Sequence, residues 1–276
     1  PAGPRAPRVS MRARSSPAEL AEAPRAAEAP AVGRVVLAGA GCGDPEDLTL
    51  GALRYIQNSS LVVADRLVSP EVLELVTSAE LRIAPKKPGC SEEAQDTINR
   101  WVVEAALAGR SCVRLKIGDP FLFGRGAEEV LHYRRHGIEP VVLPGVSSAY
   151  AAPMAAGIPL THRGAASYVT IGTGHGRGGA LTDVPPFRDD QTVVLLMAVG
   201  RVRQLCRGMM EEGGYPRDWP CAVVERATTP QQRVLRTTVG QLPRAAEAAG
   251  VRAPAVIVVG EVVNVLRPGG GAVAGG

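Results

Sequence analysis

The chain has 276 residues and 45% hydrophobic content, enough to bury the core of one large or two medium domains. A net charge of +4 over that length, with basic residues not interleaved with aromatics, excludes a nucleic-acid module, and no apolar run approaches the ~20 residues of a membrane-spanning helix. Aromatic content is only 4%, so the core must be built from Val, Leu, Ala and Ile.

Residues 1–33 are rich in Pro, Ala and Arg and carry no strand pattern. They read as a disordered leader or linker, or as the remnant of an organelle transit peptide. The tail from 268 to 276 also reads as disordered. Between these ends, strand and helix patterns alternate. "RVVLAGAG" (34–41) is an apolar run ending in glycines, as a buried parallel strand does. A helix pattern with Leu48, Leu53 and Ile56 follows. Then come "LVVAD" (61–65), a helix over 70–76, "LRIA" (81–84) and a long helix over 92–108. "CVRLKIG" (112–118), a helix over 126–135 and "EPVVLPG" (139–145) complete this half. Such spacing predicts βαβ units and a parallel sheet.

A second alternation starts after "GIPLTHRG" (157–164). Its strands are 167–174, 192–200, 220–227, 232–239 and 254–263, with helices over 201–212 and 241–249. The fold class is therefore α/β, with domains over 34–150 and 151–267, joined near 145–165. Sites in such sheets lie at the carboxyl ends of strands and between domains.

Several strand ends could carry chemistry. "GAGCGD" (39–44) spaces glycines at i, i+2 and i+4, which fits either a backbone-contacted ligand or a plain glycine turn. It lacks the last glycine of a dinucleotide fingerprint and the Lys-Ser/Thr of a P-loop. Asp65 closes the second strand. Ser69-Pro70 supplies the cap and first-turn proline of the next helix, which leaves Asp65 free of that duty. Lys86 and Lys87 are two of only three lysines and follow the third strand. "LKIGDPFLFGRGAEE" (115–129) combines a tight turn with aromatics, and "PGVSSAYAAPMAAGIPLTHRG" (144–164) gathers small residues and prolines at the junction. The five cysteines, Cys42, Cys90, Cys112, Cys206 and Cys221, form no CxxC pair. His132 and His136 lie i, i+4, but Tyr133 follows where an HExxH site has Glu. No metal site is expected, and a reducing, cytoplasmic compartment is the default unless the leader is a transit remnant.

"GAGCGD", "DRLVSPE", "KKPG", "RLKIGDPFLFGRGAEE", "PGVSSA" and "GIPLTHRG" occur in one order and spacing. In this the chain resembles the uroporphyrinogen-III C-methyltransferase family over about residues 34–267. The resemblance implies a tetrapyrrole methyltransferase fold of two α/β domains with the cleft between them. It implies transfer of two methyl groups from S-adenosyl-L-methionine to uroporphyrinogen III, giving precorrin-2 for siroheme or cobalamin. It also implies a homodimer, with fusion to or association with later siroheme-pathway enzymes. Carried over by position, Asp65 is the proton acceptor, with Lys86 or Lys87 as its basic partner. Cofactor contacts fall on Cys42, Ile117, Gly118, Asp119, Leu122, Ser147, Ser148, Met197 and Ala227. Arg66, Arg125, His162 and Arg163 are the candidates for the substrate's carboxylates. The chain departs from the family at Cys42 (usually Pro), Ile117 (usually Gly) and Ala227 (commonly Gly). With Ile117 in place, the turn must rely on Gly118 for a glycine-only backbone angle.

Overall fold

A computed structural model of the chain describes residues 31–84, 91–176 and 183–267. Apart from residues 31–33, the leader lies outside them, as do Lys86, Lys87, Cys90 and the tail.

The first half forms a parallel five-stranded sheet. Its strands are β1 (Val35–Gly39), β2 (Leu61–Ala64), β3 (Glu80–Ile83), β4 (Cys112–Lys116) and β5 (Val141–Leu143), ordered β3-β2-β4-β1-β5. Side chains alternate across the sheet, so each strand feeds two cores. Val35, Leu61, Val63 and Cys112 pack under α3 (Ser91–Leu107) and near Tyr133 of α4 (Gly126–Arg135). Val36, Ala38, Val62, Ala64, Val113 and Leu115 face α1 (Leu50–Gln57) and α2 (Pro70–Leu73). Helices cover both faces, as a sheet with two apolar faces requires. Thr49 caps α1 by accepting from the Ala52 N–H, and Ser69 caps α2 by accepting from the Val72 N–H, with Pro70 in its first turn.

The second sheet is mixed, unlike the parallel sheet of the first half. Its strands are β6 (Tyr168–Thr173), β7 (Gln191–Leu196), β8 (Pro220–Glu225), β9 (Arg233–Thr238) and β10 (Ala255–Val259), ordered β6-β7-β10-β8-β9. Only β6 and β7 run parallel; the other three pairings are antiparallel. The short link from β8 to β9 leaves no room for a crossover helix, so those strands must reverse. Three strands also end earlier than their apolar runs. Met197 and Arg226 take left-handed backbone angles directly after β7 and β8, and Gly260 turns the chain after β10 into α8 (Val262–Val265).

One face of this sheet packs α6 (Val202–Glu211) and α7 (Leu242–Ala248). The other packs α5 (Ser148–Ala155) and α8. The division expected at 150/151 passes through α5, whose Ala149 and Ala152 lie in the core of the second sheet. Leu122, from the loop after β4, packs into that same core. The two sheets thus share side chains at the carboxyl ends of the first.

Those ends meet backbone to backbone. A Cβ on Gly145 would lie 2.2 Å from the Gly118 carbonyl oxygen and 2.6 Å from Gly39 Cα. No side chain fits there, so the loops after β1, β4 and β5 are locked at glycine distance. Gly145→Ala should therefore cost about 1–3 kcal/mol through overpacking. The expected readout is a lower urea midpoint at an unchanged m-value.

Candidate functional site at the strand carboxyl ends

The site is best built from β4. Its residues Arg114 and Lys116 point to the α3/α4 face, and both are buried. The Arg114 guanidinium forms an ion pair with Asp65 at the end of β2. The same group donates to Glu129 Oε1 of α4 at 3.1 and 3.3 Å. Lys116 Nζ donates to that oxygen at 2.8 Å, and so does Gln95 Nε2 of α3, also at 2.8 Å. Two cations and two carboxylates balance to zero inside the first half. A buried group of this kind is tolerated because each charge has an opposite and a hydrogen bond.

Asp65, spared from capping a helix, is thus engaged by Arg114 instead. Its second oxygen accepts from the Ile117 N–H at 3.2 Å. Burial by itself would raise its pKa. The charges of Arg114 and Lys116 and the two hydrogen bonds outweigh this and hold the carboxyl below its ordinary value. Burial opposes the Arg114 charge in the same way, but Asp65 and Glu129 overcome it and raise its pKa. With its side chain 23% exposed, Asp65 is an ionised group that a ligand can still reach.

The loop from β4 passes directly over this carboxylate. Gly118, at φ +65°, supplies the left-handed angle that Ile117 cannot, as the sequence required. Its N–H donates to the Gly41 carbonyl at 2.6 Å, tying the β4 loop to the β1 loop. Asp119 is one of the candidate cofactor contacts. It organises the turn: its carboxylate accepts from the Phe121 N–H at 2.8 Å and from the Gly145 N–H at 3.1 Å. Ser147 is buried and caps α5, accepting from the Ala149 N–H at 3.2 Å, and its Cα lies 3.8 Å from where a Gly118 Cβ would be. Ser148 follows as the first residue of α5, half-buried.

The glycines of "GAGCGD" serve packing more than open space. Gly39 abuts Gly145, Gly41 has a left-handed φ of +68°, and Gly43 abuts Thr228 and Thr229. Cys42 is half-buried beside Thr228, its Sγ 3.5 Å from Thr228 Oγ1. Burial pushes its thiol pKa up, against the Thr228 hydrogen bond. Ala227 is buried next in sequence.

Contacts thus join Asp65, Ile117, Gly118, Cys42, Asp119 and Ser147 around one set of strand ends, with Leu122 on the shared core. Met197 is exposed on the loop after β7 and left-handed at φ 54°. Arg66, His162 and Arg163 are exposed; the His162 N–H donates to Ala166 in a small turn after α5. Arg125 does not stand free in a cleft. Its guanidinium holds Glu128 at 2.6 and 2.9 Å, beside a hollow of about 360 Å³ also lined by Glu92, Gln95 and Asp96. Sequence reasoning missed Arg114, Lys116 and Glu129. The alternation in "CVRLK" against "GAEEV" offered a signal, since a helix over that face would bury both cations.

Among the described residues, five non-glycine positions have left-handed φ: Phe123, Arg125, Met197, Arg226 and Thr228. All five lie in loops that follow the carboxyl ends of β4, β7 and β8. Backbone strain concentrated on strand-end loops is the pattern of a site held in shape by its surroundings.

Fold and site together define an α/β protein of two five-stranded sheets, with its charged group and strained loops gathered at strand carboxyl ends. Residues 34–243 match the family described as Tetrapyrrole (Corrin/Porphyrin) Methylases, and the chain belongs to that family. It is 41% identical over 238 residues to uroporphyrinogen-III C-methyltransferase of Methanocaldococcus jannaschii, covering 85% of this chain and 98% of the relative. It is 43% identical over 243 residues to siroheme synthase of Nitrosospira multiformis, covering 87% and 51%. Among solved structures, uroporphyrin-III C-methyl transferase from Thermus thermophilus complexed with S-adenyl homocysteine is 41% identical, with a TM-score of 0.72. That match covers 85% of this chain and all of the other. The chain spans about half the length of most of the curated relatives it matches.

Arg114→Ala would leave Asp65 and part of Glu129 uncompensated. A loss of about 3–5 kcal/mol is expected at neutral pH, measured by chemical denaturation. The pH dependence has a definite sign. Because the folded pKa of Asp65 lies below its unfolded value near 3.8, its contribution is present above that value and lost as pH falls through the folded one. The stability gap between wild type and Asp65→Asn should close only in strongly acidic solution.

Proposed function

We propose that the chain is an S-adenosylmethionine-dependent C-methyltransferase that converts uroporphyrinogen III to precorrin-2 by two successive methylations, in siroheme biosynthesis. The observation that carries this is 41% identity, across nearly the whole of each partner, to enzymes bearing that name, one of them in complex with S-adenosylhomocysteine. The strand-end glycines and the left-handed turn at Gly118 fit a ligand met mainly by backbone groups. Cys42, Ile117–Asp119, Leu122, Ser147, Ser148, Met197 and Ala227 would hold it. When bound, the cofactor supplies an electrophilic methyl group on a sulfonium sulfur.

The chain's own residues then have two tasks. One is to hold the pyrrole carbon in line, at near-attack distance. The other is to favour the charge that develops there. An attacking pyrrole becomes cationic, and Asp65 presents a fixed negative charge to it. Held ionised beside Arg114, the carboxylate supplies an electrostatic counter-charge to that cation. Arg66, His162 and Arg163 are the exposed donors available for the substrate's carboxylates. Arg125 would have to exchange Glu128 for a substrate carboxylate to join them. Assembly as a homodimer and association with later siroheme-pathway enzymes belong to the same reading. Among the described residues no helix is long and apolar enough to cross a membrane.

Incubation with S-adenosylmethionine and enzymatically made uroporphyrinogen III tests the activity. Mass spectrometry should find two added methyl groups; no addition to this substrate, with transfer to a later corrin, would overturn the assignment. Asp65→Asn should lower kcat by about 10²–10³-fold, the scale of a lost electrostatic stabiliser. The limbs of its kcat/KM profile between about pH 6 and 9 should keep the wild-type positions. Disappearance of the acidic limb in this variant would instead make Asp65 the base.

A further inference from the structure

The Gly41–Asp44 loop is held from three directions. Two holds come from the first half: the Gly118 N–H donates to the Gly41 carbonyl at 2.6 Å, and Ser69 Oγ donates to the Gly43 carbonyl at 2.7 Å. The third crosses from the second sheet. Thr228 Oγ1 accepts from the Asp44 N–H at 3.3 Å and lies 3.5 Å from Cys42 Sγ, across more than 180 residues of chain. Gly43 sits between these contacts. A Cβ there would come within 2.7 Å of Thr229 Cγ2 and 3.0 Å of Thr228 Oγ1, so the turn is pressed directly against the loop.

Thr228 itself is strained. It is β-branched and stands at φ 61°, a region such residues rarely occupy. Its conformation is fixed from outside. The Thr228 N–H donates to Gln232 Oε1 at 2.9 Å, and Gln232 Nε2 donates to the Ala155 carbonyl at the end of α5 at 3.1 Å. Thr229 Oγ1 closes the turn by donating to the Arg226 carbonyl at 2.8 Å. Strain maintained by a strut of this kind points to a requirement at the supported atom. The supported atom is the hydroxyl that meets Cys42 and Asp44.

We propose that Thr228 is a positioning residue for cofactor binding: its hydroxyl clamps the Cys42–Asp44 backbone to the second sheet and presets the face of that loop. This rests on the reading of the loop as part of the S-adenosylmethionine site. Without the clamp, the loop would be ordered only on binding, and affinity would fall. The tetrapyrrole side of the site would be untouched.

Calorimetric titration of the whole chain with S-adenosylhomocysteine tests the proposal in three forms. Thr228→Val keeps the branched shape and the backbone strain and removes only the hydroxyl. It should raise the dissociation constant roughly three- to tenfold, the scale of one hydrogen bond. In turnover it should raise the KM for the methyl donor, with kcat at saturating donor and the KM for the tetrapyrrole unchanged. Thr228→Ser restores the hydroxyl and should return affinity to the wild-type value. A purely structural role would lower the melting temperature of Thr228→Val and leave affinity alone, and that result overturns the proposal. So does equal weakening by Ser and Val. Should Thr228→Val fail to fold, Gln232→Leu removes the strut and leaves the hydroxyl. It should weaken binding in the same direction, and unchanged affinity overturns the clamp. Absence of binding by the unsubstituted chain defeats the cofactor reading itself, and the clamp with it, an outcome separate from the variant results.

Discussion

The structure of the site depends on one buried guanidinium. Arg114 lies on the central strand of the first sheet and joins Asp65 at the end of β2 to Glu129 in the covering helix α4. Buried by itself, Asp65 would be driven toward its neutral form; beside Arg114 it stays ionised. The same contact fixes where the carboxylate points. It leaves one oxygen for the Ile117 N–H, the first peptide of the loop that carries Gly118 and Asp119. A buried ion pair adds little net stability compared with an apolar substitute, and its value lies in the arrangement it selects. Here the arrangement is a strand end, a charged group and the Ile117–Asp119 loop held in one register.

Around that charge, the site is shaped by close backbone approach. Gly39, Gly118 and Gly145 bring three strand ends together with no side chain between them. The second sheet closes the assembly by sending the Thr228 turn to the Gly41–Asp44 loop, while the first sends Leu122 into the second core. Each sheet therefore fixes a loop of the other. The unusual backbone angles lie in these exchanges rather than in the sheet interiors, where regular hydrogen bonding leaves no reason for them.

How much of this the sequence disclosed follows from the kind of force involved. Strands β1 and β2 are continuous apolar runs because both faces are covered, and such runs are legible in one dimension. The direction of the strands in the second half is not. "TVVLL" and "PAVIVV" look alike whichever way they run, and β10 enters between β7 and β8 by a long-range pairing. The reversal from β8 to β9 was readable from the short "ATTPQQ" link. Asp65 was legible by its place at a strand end, but its partner was not, since Arg114 alternates with apolar residues as a solvent-facing arginine would. Of the adjacent Glu128 and Glu129, one is exposed and one wholly buried, a distinction made by helix phase relative to a sheet 13 residues upstream at Lys116. The glycines show the reverse case. Their spacing in "GAGCGD" marked a strand-end loop, yet most of the space they free is filled by other parts of the chain.

These two features also divide the chemistry. On the proposed reading, methyl transfer needs a carbon nucleophile placed in line and a counter-charge for the cation it becomes. Placement is a matter of distances, and distances are set by glycine contacts and by the exchange of loops between sheets. Counter-charge must persist at neutral pH without being drained by a proton, and a group poised near neutrality would supply it only part of the time. Arg114 removes that ambiguity by holding Asp65 ionised throughout the working range. On that reading Asp65 meets the cation as a fixed counter-charge, and the proton that the methylated ring must lose is a second demand on the same strand-end site.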